Sequence, residues 1–226
     1  MNNIRHLLGS LLAVVLVTLC VSCQYYGPQA IQLGSIPTPA TWSEYQLYSA
    51  FTLSVPNTME KSLPNDRYNQ MLDSIGLHRN NRIAIFQQKS LNKGTMANAD
   101  EHYCRVLVNY GKVSPDDDML HSWETAELEY EARAELFNNV MANLSGSEQL
   151  LSAPTYEWVD IGGTKAIRVK YRRSGNNGNT TACAMYYLFN GDEMGIVVTA
   201  YREQEARLWQ ADMENVIRTF RWNRSK

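Results

Sequence analysis

The stretch Thr155-Tyr-Glu-Trp-Val-Asp-Ile161-Gly-Gly-Thr164-Lys-Ala-Ile-Arg-Val-Lys170 decides the fold. Gly162-Gly163 is a two-residue hairpin turn of the kind whose backbone needs positive φ. Folding the chain back there sets Trp158 opposite Ile167 and Tyr156 opposite Val169. Four large apolar residues then share one face, while Glu157 meets Arg168 on the other. A second hairpin follows, with Thr180–Phe189 turning at Asn190-Gly191 into Glu193–Tyr201. It places Cys183, Met185, Ile196 and Val198 together on one face.

Outward from these hairpins, Phe51, Leu53 and Val55 alternate with small polar residues and predict a half-buried strand closed by Pro56. Arg82–Lys89 and Tyr103–Tyr110 also read as strands. Residues 65–75 predict a short amphipathic helix. A longer one is expected over about 117–144, where Trp123, Tyr130, Ala134, Phe137, Met141 and Leu144 form one apolar stripe. The last helix, about 203–220, carries Ala206, Trp209, Met213, Val216 and Phe220 on a single stripe. Hairpin strands with helices segregated between them predict an α+β class. A mostly antiparallel sheet packed with helices in an α/β sandwich is expected, in a single domain over residues 47–226.

These elements resemble the PsbP/Mog1-like fold family. The likeness rests on Phe51-Thr-Leu-Ser-Val-Pro56, the Ile161-Gly-Gly-Thr-Lys-Ala166 hairpin, the Tyr-rich hairpin after it, and a closing helix with Trp209 and the ending Ile217-Arg-Thr-Phe220-Arg221. The resemblance spans about residues 46–222. It implies binding or assembly roles and assigns no active-site residue.

The chain has 226 residues, 44% of them apolar and 19% charged, with a formal net charge of -2. That composition is globular and excludes a disordered chain, and the near-neutral balance argues against bulk capture of nucleic acid. The N-terminus has its own grammar. Arg5 opens it, an apolar run from Leu7 to Val21 follows, and Ser22-Cys23 ends it. The run is shorter than the roughly 20 residues of a spanning helix, so a secretory signal is the expectation. Val21-Ser22-Cys23 resembles the end of a bacterial lipoprotein signal, with residues 1–22 removed and Cys23 lipidated. Several acyl chains at about 0.8 kcal/mol per buried CH₂ make such an anchor effectively permanent. Gln24 after the cysteine favours the outer membrane, with the protein facing the periplasm or exposed at the surface. Residues 23–46 are punctuated by Gly27, Pro28, Gly34, Pro37 and Pro39 and read as a tether, which as a flexible coil spans on the order of 25 Å.

Candidate chemistry is sparse. His102 and Cys104 share a strand face with Asp100 nearby, yet Cys104 belongs to the apolar set of Val106 and Val108. A buried strand cysteine beside a surface histidine is the simpler reading. Asp116-Asp117-Asp118 lacks the glycine and closing glutamate of a calcium loop and suits a helix start. No metal spacing, cofactor motif or phosphate loop is present. Once Cys20 is removed and Cys23 acylated, Cys104 and Cys183 either form a disulfide or pack as two separate buried thiols.

Charge is segregated into an acidic run over residues 116–137 and a basic one over residues 165–173. Arg168, Lys170 and Arg172 alternate along one strand and are the candidate partner-binding cations; paired, solvated faces are the other reading. The expected function is non-enzymatic: an envelope lipoprotein that recognises a protein or peptidoglycan partner by its surface. The alternative is a carrier of a small ligand in an aromatic pocket. Replacement of Cys23 by alanine is expected to release the protein from membranes or leave its signal uncleaved. Unchanged fractionation and processing on an immunoblot would contradict the anchor.

Overall fold

The computed structural model describes residues 30–62, 82–92, 102–114, 130–142, 144, 148–174 and 178–223. Eleven strands and two α-helices are described. The strands are β1 (Ile31–Gln32), β2 (Trp42–Leu47), β3 (Phe51–Pro56), β4 (Met59–Ser62), β5 (Arg82–Gln88) and β6 (Cys104–Lys112). After helix α1 (Tyr130–Ala142) come β7 (Thr155–Ile161), β8 (Thr164–Ser174), β9 (Thr180–Asn190) and β10 (Glu193–Arg202). Helix α2 (Ala206–Arg218) and β11 (Arg221–Trp222) end the described fold.

The protein is α+β. Eight strands form one sheet in the order β1-β7-β8-β9-β10-β6-β5-β4, and β11-β3-β2 form a second, smaller sheet. All pairs in the large sheet are antiparallel except β1 with β7. The decisive hairpin has the register expected of it, with Trp158 opposite Ile167, Tyr156 opposite Val169 and Glu157 opposite Arg168. Gly162 and Gly163 sit at φ +60° and +93°. Gly162 is required twice over, because a Cβ there would lie 2.6 Å from the Ser35 Cβ.

The large sheet buries both faces. One carries Cys104, Val106, Val108, Tyr186, Leu188 and Val197, covered by Trp209, Met213, Val216 and Ile217 of α2 and by Phe51, Leu53 and Val55 of the small sheet. The opposite face carries Ile167, Val169, Tyr171, Cys183, Met185 and Tyr187, covered by α1. Three layers result, and each face of β8 belongs to a different one.

Two expectations need correction here, and one element was not expected. The stretch 23–46 was expected to be tether, yet from residue 30 onward it belongs to the fold. Leu33 N donates to Asp160 O at 2.9 Å, and Trp42 and Tyr45 pack on the core. Its contribution comes through short edge pairings, which leave little apolar period to read. The opening strand also has a partner hairpin, closed by Tyr48 and Ser49 at φ 57° and 62°. Asn223 braces this strained turn through the Ser49 and Ala50 carbonyls.

The second correction concerns α1. Its core side is Ala132, Leu136 and Val140, whereas Tyr130, Phe137 and Met141 of the expected stripe are exposed. Both sets recur at helical spacing. The sheet beneath is built of large residues (Tyr171, Met185, Tyr187, Phe189), so the side carrying smaller residues fits against it. Residues 65–75 and the part of the long helix before Tyr130 lie outside the described residues. Leu136→Ala is expected to cost about 2–4 kcal/mol in denaturant unfolding, against less than about 1 kcal/mol for Phe137→Ala. Equal costs would restore the expected phase.

Candidate functional site

Cross-strand register lays out a small lattice on the α2 side of the sheet. Arg168 lies beside Tyr186, Lys170 beside Ala184, and Arg172 beside Ala182. The next strand adds Thr199 beside Ala184 and Tyr201 beside Ala182. The apolar core under α2 includes Tyr186 and Leu188, with Ala184 and Tyr201 packed against it, and the half-exposed Lys170 and Arg172 side chains lie at its margin. What results is a cleft of about 670 Å³, open to solvent along one side. Arg168, Lys170, Arg172, Tyr186, Thr199 and Tyr201 line its floor. Glu203, in the turn before α2, and Gln210, Met213, Glu214 and Arg218 of α2 make one wall, and Gln32, Leu33 and Thr155 the opposite one. Two alanines on the central strand deepen the middle, since they add only methyl groups to it.

The three candidate cations do share this face, as their alternation required. They are not a free solvated stripe. Arg168 is only 12% exposed at its side chain, and its Nε donates to Glu157 Oε2 at 2.7 Å. Lys170 Nζ lies 2.9 Å from the other oxygen of Glu157. Arg172 pairs with Glu203 through both Nε and Nη2, each at 2.5 Å. The reason is the hairpin register itself, which puts Glu157 opposite Arg168. Arg218 differs: Nη1 donates to Asn215 Oδ1 at 3.0 Å, and among the described residues no carboxylate lies within ion-pair distance.

These environments shift titrations in legible directions. Burial raises the Glu157 pKa, but the Lys170 hydrogen bond and the Arg168 charge outweigh it and hold the carboxyl below its ordinary value. Burial pushes the Tyr186 hydroxyl up, with Arg168 opposing. Burial also raises Tyr201, and the nearby Glu214 and Glu203 charges add to it.

The remaining sequence candidates are dispersed. Cys104 and Cys183 are free thiols and not a disulfide. Cys104 pairs in register with Tyr201, and Cys183 with Ala200, so the two sulfurs point to opposite faces of one sheet. Sharing an apolar character is not sharing a face. The Cys104 thiol donates to Met213 Sδ at 3.6 Å, and burial, with Glu205 and Asp212, raises its pKa far from a reactive thiolate. His102 pairs instead with Glu205, Nδ1 to Oε1 at 2.6 Å. Asp100, the Asp116–Asp118 run, Cys23 and the signal segment lie outside the described residues.

One cluster escaped the sequence reading. The Tyr103 ring has the guanidinium carbons of Arg105, Arg173 and Arg202 at 5.1, 5.7 and 5.2 Å from its centre. Arg173 pairs with Glu148, and Arg202 donates to Thr181. Arg202 is buried and Arg173 nearly so, which makes this a packed internal network at the end of the α1 face. Three strands contribute its arginines, so no local motif announces it.

No protein-family model matches the chain, and no curated protein does. Solved structures are similar to it. One is the cyanobacterial PsbP (CyanoP) of Synechocystis sp. PCC 6803, at 12% identity over 82% of this chain and 94% of that one, with a TM-score of 0.49. Another is LpqN of Mycobacterium tuberculosis, described as involved in cell envelope biogenesis, at 12% identity over 81% and 91%, with a TM-score of 0.45. A third is a Pseudomonas aeruginosa protein of unknown function, PA94, at 12% identity over 83% and 100%, with a TM-score of 0.44. A PsbP stands among them. The likeness is one of fold alone.

Glu157 gives the cleft a pH signature. Its folded pKa lies below the unfolded value, so its contribution to stability is present above the unfolded pKa and is lost as pH falls through the folded one. Acid unfolding of the wild type is expected to steepen across that carboxylate range, and Glu157→Gln to flatten it while destabilising the protein at neutral pH. Identical acid profiles for the two would remove Glu157 from this role.

Proposed function

We propose that this protein is a non-enzymatic recognition protein of the cell envelope, anchored through lipid on Cys23, that holds part of a larger partner in the cleft beside α2. The cleft carries the reading. It joins buried tyrosine, small residues that give depth, and fixed polar groups on a rigid sheet, the usual composition of a binding site. Its open side suits a segment of a larger partner better than an enclosed small ligand, which ranks partner recognition above the carrier alternative. The sequestered Cys104 thiol and the engagement of His102 by Glu205 favour binding over nucleophilic catalysis. Outer-membrane placement rests on Gln24 after the lipidated cysteine, and Arg168, Lys170 and Arg172 act here as paired floor groups of the cleft.

A photo-crosslinking residue at Gln210, in the cleft wall, is expected to capture a discrete envelope component in intact envelopes of the organism that carries the protein. The same residue at Glu131, on α1 across the sheet, is expected to miss that component. Capture from Glu131 and not from Gln210 would overturn the assignment of the cleft.

A further inference from the structure

We propose that the cleft holds a protein segment with a single carboxylate at the point of contact, and that Lys170 receives it. The inference rests on the cleft being the recognition site and names the chemistry of what enters it. Charge pairing makes the selection. Glu157 is one carboxylate between two cations: its Oε2 accepts from Arg168 Nε at 2.7 Å, and its Oε1 lies 2.9 Å from Lys170 Nζ. This trio keeps one positive charge. The other charges of the cleft balance locally. Arg172 gives two donors to the two oxygens of Glu203. Arg218 stands one helical turn from Glu214 on α2, so those two offset each other.

Of the two cations that share Glu157, Lys170 is the one a ligand can reach. Arg168 is nearly buried and also bonds the Tyr186 hydroxyl, whereas the Lys170 side chain is 47% exposed. Thr155 and Ala184 are its register neighbours, so small side chains flank the ammonium on both sides. An ammonium has three donors, and Glu157 takes one of them. A carboxylate arriving there completes the charge count without opening a pair, and its hydrogen bond is charge-assisted. A phosphomonoester or a polyanion brings more charge than the trio can balance and meets Glu203 and Glu214 on the α2 side.

A protein chain also suits the rest of the cleft. Tyr186 and Thr199 are buried, so neither presents a ring face or a hydroxyl to a sugar. Ser152 and Ala153, by contrast, are exposed on the rim and lie outside any strand, which leaves peptide groups for a bound chain to pair with. Gln32 and Gln210, on facing walls, add amides that both donate and accept.

The test uses the full-length chain in isolated envelopes of the organism that carries it. The photo-crosslinker at Gln210 reports capture, and a water-soluble carbodiimide, which joins an amine to a carboxylate it touches, reports the contact. Mass spectrometry is expected to find Lys170 in amide linkage to an Asp, Glu or C-terminal residue of the same component that Gln210 captures. Lys170→Gln is expected to lower the capture yield about five- to tenfold while the thermal midpoint of the purified chain stays unchanged, and Lys170→Arg to hold the yield within about twofold. Capture by the wild type is expected to fall at least about threefold between about 50 and 500 mM NaCl. Undiminished capture by Lys170→Gln overturns the proposal. A Lys170 linkage to a sugar acid or a phosphate, or to Glu157 alone, also overturns it. Each of these outcomes leaves the cleft as a recognition site. Failure of the cleft itself would appear separately, as absence of any capture from Gln210.

Discussion

Register at the Gly162-Gly163 turn is the constraint on which the rest of the structure depends. Side chains on a strand alternate with period two, so a slip of one residue would exchange the faces of β8. Ile167, Val169 and Tyr171 would leave the α1 core, and Arg168, Lys170 and Arg172 would enter it. Burying three cations while exposing three large apolar groups makes the slipped form strongly unfavourable. Glu157 reinforces the choice, because only in the observed register does it face Arg168 and reach Lys170. Gly162 enforces it from outside, since the turn packs so closely on Ser35 that no side chain fits.

The same alternation divides labour between the two faces. On the α1 side the rows fill with Tyr171, Met185 and Tyr187 and close against a helix whose inward residues are smaller. On the α2 side, apolar rows give way to Arg168 and Lys170, and α2 borders that polar part with Gln210, Glu214 and Arg218. The cleft lies where the polar end of the sheet face meets the polar side of α2. Its polar lining is what a strand must present where one face is buried under α1 and the other meets water.

How much of this was legible follows from where each signal sits. The two hairpins and α2 were readable because turn chemistry and apolar period lie within a few adjacent residues, and Trp209, Met213 and Val216 fall on one side only. The phase of α1 was not. Tyr130, Phe137 and Met141 are the larger set, but Ala132, Leu136 and Val140 are the set that fits beneath. Periodicity reports that a helix has a face; the volume of the opposing layer decides which face is used. Residues 31–47 were missed for another reason. Their strands pair at edges, one of them through two residues only, so few side chains carry the pattern.

The cleft shows the same limit at the level of function. The alternation of Arg168, Lys170 and Arg172 was visible in one strand, and it read as a cationic patch. Whether a row of cations attracts anions depends on what lies across it, and Glu203 stands 31 residues from Arg172 in the chain. Sequence shows charges along a strand, whereas recognition depends on charge summed across neighbouring elements. Here that sum turns an apparent electrostatic patch into a nearly neutral, hydrogen-bonding surface. What residual charge remains sits where Arg168 and Lys170 share the single carboxylate of Glu157, a count that no one strand displays.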